Sequence, residues 1–342
     1  MAKKQVLVTG ASGYIGSYLV SEFLKRGHDV RATVRNAEDQ EKVGHLLNLA
    51  SDTTGQLEII GADLLQSGAF DLAIKGCEWI CHNAAVVLMT ADNPQKEILD
   101  PAVEGTKNII NSVEKDGGVE QICMMSSVAA VVNTKRRKGH VYIEANWNDD
   151  ATLESSPYSL AKAQSEKLMT DFCKDTKNPK LSVINPSFVF GPLLSKLHVS
   201  SSTSIVRDVL LNTFKGCPKF GLGIVDVRDV AKAAVQSLER QAQGRFILNA
   251  ESIWWKEMAE ILKDEFPNAP ISTRTIPNIF MYVASIFDKR LSFPFIRNNL
   301  NRKDQFSNER LKNDLGINPR SVKESLIDTA NSLYELGIVK LL

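Results

Sequence analysis

Thr9-Gly10-Ala11-Ser12-Gly13-Tyr14-Ile15-Gly16 joins an apolar run, Gln5 to Thr9 with Val6, Leu7 and Val8, to a stretch in which Ile15, Leu19 and Phe23 recur at helical spacing. The first run reads as a strand, and Tyr14 to Arg26 as an amphipathic helix closed by Gly27. The three glycines of such a junction do different things. Gly10 permits a tight turn, Gly13 lets backbone come close to a ligand, and Gly16 lets the helix pack on the strand. The amides of the first helical turn then face an anion at the positive end of the helix dipole. The segment therefore reads as a pyrophosphate cradle for a dinucleotide, with plain turn glycines as the alternative.

Downstream, strand-like runs recur at Asp29 to Val34, Leu57 to Ile60, Trp79 to His82, Ile122 to Ser126, Leu181 to Ile184 and Arg245 to Asn249. Helical stretches lie between them, around Glu38 to Ala50, Phe70 to Ile74, Asp100 to Lys115 and Pro157 to Lys174. Such alternation predicts an α/β, doubly wound, mainly parallel sheet, because each parallel crossover needs a helix to return the chain. After Pro186 the pattern is less regular. Ser200-Ser201-Ser202-Thr203-Ser204 reads as a loop before a helix, and the chain is helical in character from Trp254 onward. The expected division is a dinucleotide-binding domain of residues 1–187 plus about 223–250, and a smaller, mostly helical substrate lobe of about 188–222 plus 251–342.

Composition narrows the functional classes. Forty-one Lys and Arg against 40 Asp and Glu give a net charge of +1, which disfavours a general nucleic-acid-coating protein. No apolar run reaches the roughly 18–20 residues of a membrane span; Ile279 to Phe287 is bounded by Pro277 and by Lys289-Arg290 and reads as a buried or pocket-lining helix. The start, Met1-Ala2-Lys3-Lys4, has no secretory h-region, so a cytoplasmic protein is expected, as a monomer or homodimer. Five cysteines, at 77, 81, 123, 173 and 217, are an odd scattered set and are read as reduced. Cys81 and His82 are neighbours in a strand and should face opposite ways, so no metal site is expected. Lys135-Arg136-Arg137-Lys138 is a basic run without interleaved aromatics, read as a solvated loop.

Tyr158 and Lys162 stand four apart on one face of a predicted helix. A free tyrosine titrates near pH 10 and is a poor acid or base at neutrality; a neighbouring ammonium that lowered it by about three units would supply roughly 4 kcal/mol. Alone, the pair reads as readily as a half-buried aromatic beside a snorkelling lysine. Ser126-Ser127, at the end of the fifth predicted strand, adds a hydroxyl at the edge where doubly wound folds place their sites.

With its G-x-x-G-x-x-G spacing, Ser127 and the Tyr158-x-x-x-Lys162 pattern, the chain resembles the extended short-chain dehydrogenase/reductase superfamily. The resemblance implies a catalytic triad of Ser127, Tyr158 and Lys162, with Ser126 beside the cofactor. An NAD-preferring member would carry an Asp where Val34 stands; Val34 is followed by Arg35, which suits a 2′-phosphate, and Lys42 adds charge, so NADP(H) is expected. Asp63 and Leu64 fall where the family holds the adenine, Ala84 and Ala85 where the cofactor lies against small residues, and Pro186 and Val189 where backbone fixes the carboxamide. Asp226 and Arg228 are read as structural.

The similarity is closest to the dihydroflavonol reductase, cinnamoyl-CoA reductase and microbial aldehyde reductase branch, through Val30 to Arg35, Pro101 to Thr106 and Val225 to Ala231. Val132 stands where dihydroflavonol reductases carry an Asn, and Ser155-Ser156-Pro157-Tyr158-Ser159 differs from the cinnamoyl-CoA reductase pattern. Ala102 stands near a position where an Asn is common, so no fourth catalytic residue is named. The resemblance implies an NADPH-dependent carbonyl reductase. The runners-up are a sugar-nucleotide epimerase or dehydratase and a non-catalytic NADP sensor. The stretches Ala85 to Met89, with Val86 and Val87, and Val128 to Val132 carry no charge and point to an apolar aldehyde or ketone as substrate; Phe280 to Val283 would join that pocket or belong to a core.

Overall fold

The computed structural model describes residues 2–340 apart from 52, 87, 90, 134–138, 175, 200 and 288–292. The first half of the chain runs β1 (Gln5–Thr9), α1 (Tyr14–Lys25), β2 (Asp29–Val34), α2 (Gln40–Ala50), β3 (Leu57–Gly61), α3 (Asp71–Ile74), β4 (Trp79–His82), α4 (Asp100–Asp116), β5 (Gln121–Met125), β6 (Val141–Tyr142) and α5 (Pro157–Lys174). It continues with β7 (Lys180–Pro186), β8 (Phe188–Phe190), α6 (Ser201–Leu210), β9 (Gly221–Asp226), α7 (Val227–Glu239), β10 (Gly244–Leu248), β11 (Glu251–Trp254) and α8 (Trp255–Glu265). The C-terminal part holds α9 (Asn278–Phe287), α10 (Phe293–Asn299), β12 (Gln305–Phe306), α11 (Glu309–Asn313) and α12 (Val322–Glu335).

Among the described residues, seven parallel strands form the main sheet in the order β10-β7-β5-β4-β1-β2-β3. The strand order reverses at the β1/β4 junction, which opens a crevice at the carboxyl ends of the strands. Helices cover both faces, and the strands are apolar because both of their faces are buried: Val6, Leu7, Val8, Ile80, Ile122 and Ile184 are sealed from solvent. One core lies between the sheet and α1 and α7, through Leu19, Phe23, Val230 and Ala234; another lies on the opposite face against α3 and α4, through Ile74, Ile109 and Val113.

A further core gathers Phe190, Val206, Leu222, Met258, Leu262, Leu326 and Leu333 around a smaller sheet, β11-β9-β8. Two expectations change here. The serine run is not a loop up to Ser204, because α6 begins at Ser201 and its Val206, Val209 and Leu210 are buried in this core. Serines and threonine suit a first helical turn, and Thr203 Oγ1 donates to the His198 carbonyl at 2.9 Å. The region after Trp254 is also not wholly helical, since β12 pairs with β6 in the register Gln305↔Val141. Among the described residues, no helix is long and apolar enough to cross a membrane.

Candidate active site

The glycine turn leaves β1 at the crevice. Gly10 has φ +65°, and a Cβ there would lie 2.9 Å from Ala84 Cα, so the turn presses on the chain that leaves β4. A Cβ on Gly16 would stand 2.2 Å from the Gly10 carbonyl oxygen and 2.9 Å from Ala11 Cα, contacts that real side chains do not make. Gly13 is exposed and caps α1 without any side-chain hydrogen bond, so the first-turn amides keep their donors for a ligand.

Thr9 ties the turn to the next strand end. Its Oγ1 accepts from the amides of Asn83 (3.0 Å) and Ala84 (2.9 Å), which leaves its hydroxyl proton to donate to His82 Nδ1 at 2.9 Å. Burial and the charge of Lys162 push His82 down to about 4, so the ring is neutral and accepts. The Tyr14 hydroxyl donates to the Gly191 carbonyl at 2.7 Å and Tyr18 to the Pro192 carbonyl at 2.9 Å. Tyr14 therefore offers a cofactor its backbone rather than its phenol, alongside Ser12 and Ile15 in the same turn.

At the β2 end of the crevice, Arg35 leaves the strand with a side chain 83% exposed, its Nε 3.9 Å from Asp63 Oδ2. Lys42 lies in the first turn of α2 with Nζ 3.0 Å from Asp39, the residue that caps the same helix. Leu64 packs against Gly105 of α4, and its carbonyl accepts from Asn108 Nδ2 at 2.9 Å.

The catalytic candidates come from β5 and α5. Pro157 opens α5 at a first helical position that lacks an internal acceptor in any helix, and Ser156 precedes it. Tyr158 and Lys162 then share a face, with Lys162 Nζ 6.0 Å from the Tyr158 ring centroid and donating to the Met125 carbonyl at 3.3 Å. Ser127 follows β5 in extended backbone, and its Oγ accepts from the Ala129 amide (3.1 Å) and lies 3.5 Å from the Pro186 carbonyl.

Burial raises the Tyr158 phenol above the ordinary value and a hydrogen bond with Ser127 offsets part of that, so it is held in the acid form. Lys162 directs one of its three N–H donors to the strand end. Burial pushes Lys162 itself down to about 8, and Glu166 pulls it back.

Ser126 is turned inward: its hydroxyl donates to the fully buried Glu166. That carboxylate also accepts from Asn185 Nδ2 at 2.8 Å and Arg245 Nε at 2.5 Å. Ser126 thus reaches the crevice through its main chain. Pro186, at the end of β7, and Val189, in the middle of β8, are buried. Among residues expected near substrate, Val86 is half-buried and Val87 lies outside the described residues, as does the 135–138 run read as a solvated loop. Val132 packs with Val128, Val131, Tyr142, Ile247 and Phe306. Met281 belongs to the small-sheet core, whereas Phe280 and Val283 are exposed.

The model of the NAD dependent epimerase/dehydratase family matches residues 6–249. The chain belongs to this family. It is 36% identical over 268 residues to cinnamoyl-CoA reductase CAD2 of Medicago truncatula, spanning 77% of this chain and 81% of that protein. Dihydroflavonol 4-reductase of Gerbera hybrida is 34% identical over 276 residues, 79% of this chain and 74% of its own. The crystal structure of yeast methylglyoxal/isovaleraldehyde reductase Gre2 complexed with NADPH superposes with a TM-score of 0.78 at 26% identity, over 98% of this chain and all of that one. The family membership, the doubly wound fold and the reductase branch read from the motifs are thus borne out. Glu166 and Arg245 were missed. Glu166 had a signal, since it repeats the four-residue step from Tyr158 through Lys162; Arg245 meets it from 79 residues away and had none.

Proposed function

We propose that this enzyme, an NADP(H)-dependent oxidoreductase, reduces a small or medium apolar aldehyde or ketone to the alcohol through Ser127, Tyr158 and Lys162. One observation carries the reading: the Tyr158 phenol, the Lys162 amine and the Ser127 hydroxyl gather at the carboxyl edge of β5, on the same edge of the sheet as an uncapped helix amino terminus fit for a diphosphate. The residues suit a dinucleotide, with an exposed Gly13, free first-turn amides, small Ala84 and Ala85 on the turn, and the solvent-facing guanidinium of Arg35 for a 2′-phosphate. Bound there, the reduced nicotinamide supplies the hydride.

The chain's own residues do the rest. Ser127 Oγ–H donates to the carbonyl oxygen and polarises it. Tyr158 Oη gives its proton to that oxygen as alkoxide charge develops, a task for which the burial-raised acid form is already loaded. Lys162 holds the ribose hydroxyls and places a positive charge beside the resulting phenolate. Pro186 and Val189 would offer backbone to the carboxamide, and Asp63 and Leu64 would border the adenine. Val86 and Val132 would line the hydrocarbon part of the substrate.

NADPH oxidation against a homologous aldehyde and ketone series tests this. kcat/KM should rise by about 1 kcal/mol for each well-fitted methylene until the pocket is full. A flat series, or a UDP-sugar turned over faster than any simple carbonyl, would overturn the reading.

A further inference from the structure

We propose that Glu166, gripped by Arg245, is a positioning residue of this reaction, acting as the counter-charge that keeps Lys162 an ammonium while it locks the Ser126-Ser127 strand end to the catalytic helix. The inference rests on the reductase reading and deepens it. Tyr158, Lys162 and Glu166 step along one face of α5, so the carboxylate lies one turn behind the lysine. Glu166 is wholly buried, yet it takes hydrogen bonds from β5 (Ser126 Oγ), β7 (Asn185 Nδ2) and β10 (Arg245 Nε). The same Asn185 amide donates to the Ser127 carbonyl at 3.1 Å, so one carboxylate and one amide fix both residues of the serine pair.

Arg245 completes the clasp. It donates to the carbonyls of Glu144 (2.8 Å), Asn146 and Ala130 (3.3 Å), and its guanidinium lies 4.0 Å from the Trp147 ring centroid. Those carbonyls belong to the segment that follows Ser127, so the pair holds the loop behind the catalytic hydroxyl. Well-packed apolar residues would stabilise such a place at least as well as a buried ion pair does. A charge here is accounted for by what it does to a second charge.

The groups facing Lys162 are few. On its own helix they are the Tyr158 ring and the Glu166 carboxylate, the latter paired with Arg245 of β10; at the end of β5, the Met125 carbonyl; on β4, the neutral His82. Burial works against the ammonium, and Glu166 is the charged neighbour that works for it. Without the carboxylate the lysine loses its proton at lower pH. The alkaline limb of kcat/KM, where the ammonium is lost, must then move to lower pH.

The test is the pH profile of carbonyl reduction for wild type, Glu166→Gln and Glu166→Asp, with the pH dependence of NADPH affinity measured in parallel. Glu166→Gln should move the alkaline limb down by about one pH unit, the scale of losing one nearby charge at an effective dielectric near 20. Glu166→Asp should return it close to wild type. A limb that stays in place in Glu166→Gln, whatever happens to kcat, overturns the proposal, because a purely structural role lowers rates without moving a titration. If Glu166→Gln does not fold, Glu166→Gln/Arg245→Met removes both charges and should move the limb in the same direction by less than Glu166→Gln, because no unpaired Arg245 cation is left near Lys162; an unmoved limb there overturns the proposal. If wild type reduces no carbonyl, the reductase reading falls, and the NADPH-affinity limb still decides the role of Glu166.

Discussion

At the β5 end of the crevice, Tyr158, Lys162 and Glu166 are packed among strand ends, and their polar atoms are used on named partners. At the β2 end, Arg35 and Lys42 stand largely in water, with loose or local partners in Asp63 and Asp39. Chemistry needs charges whose energies are fixed beforehand, and burial fixes them. A phosphate that arrives with its own charge needs only a cation within reach. The two ends should accordingly respond to substitution on very different scales.

Tyr158→Phe should give the largest effect, a loss of about 10²–10⁴-fold in turnover with NADPH affinity nearly unchanged, since only the proton donor is gone. More than a tenth of the wild-type rate remaining would place the acid elsewhere. Gly16→Ala comes next: its Cβ meets backbone at 2.2 Å, so the turn must separate from its helix, and urea unfolding should show a loss of about 2–3 kcal/mol.

The pH profile sharpens the contrast further. Because burial brings Lys162 down to about 8, reduction should hold up to that pH and then fall as the ammonium is lost, approaching tenfold per unit. A profile flat to pH 10 would show the lysine in a different environment. Arg35→Ala, at the exposed end, should weaken NADPH by about 1.5 kcal/mol, roughly tenfold, and barely touch NADH. Equal losses for both cofactors in a titration would remove Arg35 from the 2′-phosphate. Lys42→Ala should be smallest, under about 0.5 kcal/mol in NADPH affinity, because its ammonium already pairs with Asp39 in water.

The main sheet was legible because a parallel strand buried on both faces is an unbroken apolar word. β1, β2 and β4 run as the residues suggested, and β5 and β10 are displaced by one position. The smaller sheet was not, because β8 has only three residues and the pairings of β8, β9 and β11 join segments whose partners no local pattern specifies. The β12–β6 pairing spans still more chain. Within the site, residue types and spacing singled out Ser127, Tyr158 and Lys162 and stopped there. The burial that raises the Tyr158 phenol depends on what covers the ring, which is not written in a four-residue step.

Tyr14 and Tyr18, in the first helix, grip the carbonyls of Gly191 and Pro192, and His198 Nε2 lies 3.3 Å from the Ser12 carbonyl. The same Gly191 gives its amide to Thr329 Oγ1 at 2.7 Å, and Leu193 gives its own to Ser332 Oγ at 2.9 Å, both on α12. The glycine turn therefore leans on a loop that a helix far along the chain holds in place, and a truncation that removed α12 would take away that brace while leaving every glycine where it stands.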